Sequence, residues 1–155
     1  MSTALRTIEF LSLGVWLGGI CLLSFVVAPG AFGILASRDQ AGAIVGFTLG
    51  RLHLIGLGAG VIYLVAHFLR QGPMPSAARL AAIAVLVMIA LTVVSQFYVG
   101  AHMAALRQQM GLIERTPVNS PLFQHFDRLH HVSVWLEGAV LLIGLAALYL
   151  TVKSG

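Results

Sequence analysis

The chain has 155 residues, 59% of them apolar, with nine Lys or Arg against five Asp or Glu. A soluble domain carries roughly 25% charged residues. A charged fraction of 9% with a mean hydropathy of +0.96 therefore excludes a soluble enzyme, a DNA-binding domain and a disordered tail. The net charge of +4 comes from scattered single residues, so neither a nucleic-acid patch nor a polybasic lipid-binding segment is expected. The expected partner is the lipid bilayer, and the expected location is the cell membrane, crossed several times.

The spacing of the charges defines the elements. Residues 10–37, 52–69 and 80–106 carry none, and residues 129–152 carry only Glu137. Each window can cross a hydrocarbon core about 30 Å thick. This predicts an all-α fold: four transmembrane helices in an antiparallel bundle, a single domain over residues 1–155, with both termini on one side. The first helix is expected from Ile8 to Ala28, broken at Pro29-Gly30. Its basic region is Arg6 alone and its apolar stretch exceeds a signal core, so it reads as a retained helix rather than a cleaved leader.

The second element runs from Gln40 to Leu69, with Gly50-Arg51 dividing an interfacial part from a crossing part. Residues 71–76 read as a tight turn. The third span covers Leu80 to Val99 and continues to Gln109, stopping at Gly111. A long polar connection follows. Ser120 as N-cap and Pro121 at the first helical position open a last helix that runs to Val152. Arg6, Arg70, Arg79 and Lys153 flank one face, against Arg38, Arg51, Arg107, Arg115 and Arg128 on the other. The short turn bracketed by Arg70 and Arg79 favours termini on the cytoplasmic side. The lone cysteine, Cys21, allows no internal disulfide.

Glycines recur four apart within the spans: Gly14 and Gly18, then Gly42, Gly46 and Gly50, then Gly56 and Gly60. Such stripes let membrane helices approach closely. Packing inside the bundle is the first reading. A homo-oligomer or a membrane partner held on these Gly-rich faces is the second.

Ionisable residues within a span need a partner or a task. Arg51, His53, His102, His130 and Glu137 form a candidate buried polar cluster toward one side of the bilayer. His130 and Glu137 lie about 20° apart in helical projection, and His53 shares the face of Gly56 and Gly60. Glu137 is expected to face the interior within reach of Arg51 or His53, with His130 beside it behind Phe126. The opposite half shows fewer polar groups: Glu9, His67 and the chain ends. Three readings stay open: a structural pairing, a haem or transition-metal site on His53, His102 and His130, and a proton or solute path past Glu137. No ordered nucleophile, base and orienter can be assembled, so no enzymatic activity is expected, and no cofactor is assigned.

Trp16-Leu17-Gly18-Gly19, then Phe25-Val26-Val27-Ala28-Pro29 and Phe32, resemble the first-helix signature of the transmembrane-protein-205-like proteins. The run Phe126-Asp127-Arg128-Leu129-His130-His131-Val132-Ser133 is similar to the motif that opens that family's last helix. An Asn commonly follows there, and here the nearby polar residue is Glu137. The resemblance spans nearly the whole chain and implies a four-helix membrane protein. An animal member is associated with platinum-drug resistance, which adds a loose hint of metal handling.

Overall fold

The computed structural model describes residues 2–70 and 75–154. Four helices are long and apolar enough to cross a membrane: α1 (Thr3–Ile34), α2 (Arg38–Leu69), α3 (Ser76–Met110) and α4 (Pro121–Lys153). At 32 to 35 residues each is about 50 Å long, well beyond the hydrocarbon thickness, so the bundle extends outside the bilayer. The helices alternate in direction, which brings the start of α1 and the end of α4 to the same end of the bundle. α1 packs most extensively on α2 and α3 on α4, and the α2–α3 and α1–α4 seams close the ring. Outer residues such as Phe25, Leu142 and Tyr149 are exposed as a lipid-facing surface requires.

Two sequence expectations about breaks do not hold. Pro29 does not end α1. Its missing N–H is absorbed by one widened turn, a π segment over Leu23–Val27 in which the Ala28 N–H donates to the Leu23 carbonyl. The α-helix then resumes through Ile34. Nor does Gly50-Arg51 divide α2, which is continuous over Arg38–Leu69. One glycine costs a helix about 1 kcal/mol, too little to break a helix packed along its length. A second π segment, Val94–Val99, lies within α3, where the Gly100 N–H reaches back to the Ser95 carbonyl.

The ends of the elements follow local chemistry. Gly111, at φ +70°, terminates α3 in a conformation that suits glycine. Ser120 Oγ accepts the Phe123 N–H at 3.2 Å and starts α4. The connection between α3 and α4 is fastened to the start of α2. Asp39 accepts the N–H groups of Ile113 (2.9 Å) and Glu114 (3.2 Å), and the Glu114 carboxylate accepts the Arg38 N–H in return. Each carboxylate thus caps the backbone of the other segment.

Trp16 fills the centre, 1% exposed, seated on the glycine face of α2. A Cβ on Gly56 would overlap the indole, and one on Gly60 would sit 2.7 Å from it. These two glycines therefore serve packing within the bundle. Gly14, Gly18 and Gly46 face outward with open space around them.

Candidate functional site

Each half of α2 carries one buried imidazole. His53 is 4% exposed, and both of its ring nitrogens are bonded. Its Nδ1 lies 2.8 Å from Gln96 Oε1 on α3, and its Nε2 lies 3.1 Å from Glu137 Oε2 on α4. With Nδ1–H donating to the amide oxygen, one proton lies on the His53–Glu137 bond. It belongs either to a carboxylic acid donating to Nε2 or to an imidazolium donating to a carboxylate. Gln96 belongs to the π segment of α3, where the extra residue in the turn re-aims the side chains around it. Its buried neighbour Ser95 has a hydroxyl with no hydrogen-bond partner among the described residues.

His53 and Glu137 thus meet, one of the two pairings expected for Glu137, but the other three members of the candidate cluster stand apart. Arg51 is exposed, with its guanidinium 5.2 Å from the Phe47 ring centroid. Two residues turn a helix by about 200°, which carries Arg51 to the side opposite His53. His102 is exposed, donates Nδ1–H to the Tyr98 carbonyl at 2.7 Å and packs on the Tyr98 ring. The widened turn before it rotates it off the stripe shared with Ser95. His130 is exposed rather than screened in the interior. No residue of α4 before Ser133 is buried, so its first turns stand clear of the packed core. The three histidines of the haem or metal reading therefore do not converge. Among the described residues no three His, Cys, Asp or Glu side chains are placed to hold a metal ion.

The other imidazole lies in the half where the sequence seemed poor in polar groups. Glu9 on α1 is 0% exposed and His67 on α2 1%. His67 Nδ1 lies 3.1 Å from Glu9 Oε1, and Arg70 donates to Glu9 Oε2 at 3.3 Å. Tyr63 stacks on His67 with ring centroids 5.8 Å apart. Thr151 gives its hydroxyl hydrogen to the Ala147 carbonyl, so Tyr63 is the donor in its 2.7 Å bond to Thr151 Oγ1. His67 Nε2 is buried without a partner among the described residues. The signal for this cluster was present in the sequence: Tyr63, His67 and Arg70 fall at i, i+4 and i+7 on one helical face. Glu9 was read among the polar groups of this half, but its pairing with His67 depends on how α1 packs on α2, which neither helix encodes alone.

The fold and these two clusters define a multi-pass membrane protein, four helices around paired histidines and carboxylates. A family model, "Domain of unknown function (DUF4149)", matches residues 11–111, and the chain belongs to that family. The matched stretch holds His53, His67, Arg70 and Gln96, whereas Glu9 and Glu137 lie outside it. No curated protein and no solved structure matches the chain.

Proposed function

We propose that the chain is a small membrane transport protein without intrinsic enzymatic activity, and that the His53–Glu137 pair carries protons in it. One observation supports this above others: a single imidazole inside the bundle is bonded at both nitrogens by side chains of two other helices. Ionisable groups within spans are costly, and such pairs mark proton and solute paths. Adding or removing the shared proton changes the bonds that join α2 to α3 and α4, which links protonation to helix position. Glu137 keeps 14% of its side chain exposed, so it is less enclosed than its partner His53 at 4%.

The first- and last-helix motifs support kinship with the transmembrane-protein-205-like proteins, and with it a metal-handling role as the rival reading. The separation of His53 from His102 and His130 weighs against the rival, because it removes the ligand set a metal or haem would use.

Vesicles reconstituted with the protein and loaded with a pH-sensitive dye test the proposal under an imposed pH gradient. Wild-type protein should dissipate the gradient faster than empty vesicles. Glu137→Gln should return the rate to that of empty vesicles while costing less stability than Glu137→Leu, because the amide can still bond His53 Nε2. Glu137→Leu leaves His53 Nε2 unpaired and should cost about 1–3 kcal/mol of stability as well. A wild-type rate equal to that of empty vesicles, or an unchanged rate in Glu137→Gln, would reject the proposal.

A further inference from the structure

The outer seam between α1 and α2 carries two grooves, of about 240 and 350 Å³, that meet at Ile55. Their walls are almost wholly apolar; Gly19 helps to floor one and Gly58 the other. Along α2 the pair extends from Thr48 to Ile62, about 21 Å by helical rise. One leaflet contributes about half of a 30 Å hydrocarbon core, so the seam is long enough for a full acyl chain.

Arg51 stands at one end of this seam and lines its smaller groove. It borders the charge-free window 52–69, which places it at headgroup level. Its guanidinium is steadied over the Phe47 ring. Among the described residues no carboxylate lies within ion-pairing distance of it. A permanent cation at the edge of the hydrocarbon, with an apolar channel running from it into the membrane, is complementary to one class of molecule. We infer that the seam binds an anionic phospholipid, its phosphate on Arg51 and one acyl chain along the groove. The site faces lipid on the outside of the bundle and is independent of the His53–Glu137 pair within.

The test uses purified protein in nanodiscs of phosphatidylcholine alone or mixed with phosphatidylglycerol. Lipid retained after gentle extraction is counted by native mass spectrometry. Wild type should retain phosphatidylglycerol in preference to phosphatidylcholine. Arg51→Gln should lower that retention about fivefold, the factor expected for one basic residue near an anionic surface. Gly58→Leu places a side chain where a Cβ meets open space, so it should fold normally while filling the groove and lowering retention of both lipids. Thermal unfolding in phosphatidylcholine should be the same for all three proteins. Equal retention of the two lipids by wild type, or wild-type retention in either variant, would overturn the inference.

Discussion

The two buried imidazoles of α2 sit in different electrostatic settings. At His67 the carboxylate of Glu9 is bonded on its second oxygen by Arg70, a permanent cation. The permanent cation thus stands directly on the carboxylate that holds the imidazole. At His53 no cationic side chain of Arg or Lys joins the cluster among the described residues: the partners are Glu137 and the neutral amide of Gln96. The first arrangement, with its carboxylate bonded from both sides, suits a clamp. The second, with no permanent charge fixing it, is the one proposed above to carry protons. Accessibility differs in the same sense, with Glu9 at 1% side-chain exposure and Glu137 at 14%.

The sharpest way to break this contrast is Glu9→Leu. It strands Arg70 and His67 Nδ1 together, and removing one partner of a buried ion pair costs about 3–5 kcal/mol. Arg70 is partly exposed and can reach water, so the lower end of that range is expected. Unfolding in detergent should show a larger loss for Glu9→Leu than for Glu137→Leu. The reverse order would make the Glu137 pair the main structural tie. Gly56→Ala acts on the wall between the two ends, since its methyl group would press into the Trp16 indole. Overpacking of this kind costs about 1–3 kcal/mol, and the loss should be relieved by a smaller residue at Trp16 in the double variant. The smallest effect belongs to Tyr63→Phe, about 1 kcal/mol by the same measurement. Thr151 keeps its bond to the Ala147 carbonyl, so one hydrogen bond is lost and no buried donor is left unpaired.

What the sequence reveals, and what it hides, follows from the range of each interaction. The four spans are legible because hydrocarbon excludes charge over whole windows of the chain. The Ser120 cap and the Gly111 stop are legible because they act within one turn. That Glu137 turns inward toward the second helix was legible from helical faces, which left Arg51 and His53 both as partners; of these the structure pairs His53. The widened turns were hidden: a Pro in a packed helix can either end it or be absorbed, as at Pro29, and no proline marks the second at Val94–Val99. That uncertainty then propagated: the turn over Val94–Val99 moves His102 off the face that an unbroken 3.6-residue period assigns to it. His130 failed for a tertiary reason, because how far α4 projects beyond its neighbours is not written in α4. The Glu9 cluster was missed because Glu9 and His67 stand 58 residues apart and meet only through the packing of α1 on α2.

The residues of the two clusters also differ in when the ribosome delivers them. Glu9 and His67 lie in the first two helices and Arg70 directly follows the second, so that hairpin can pair this carboxylate before α3 and α4 have been made. His53 has no such provision. Its partners arrive only with Gln96 and Glu137, dozens of residues later, and until then its imidazole enters the membrane without them. The N-terminal hairpin is therefore equipped to wait in the bilayer at one end and left unfinished at the other. The arrival of the second hairpin completes it. The mutual capping of Asp39 and Glu114 then fastens the late hairpin to the early one, outside the charge-free windows. In biosynthetic terms, the pair at His53 is a seal that closes only after the last helix is in place.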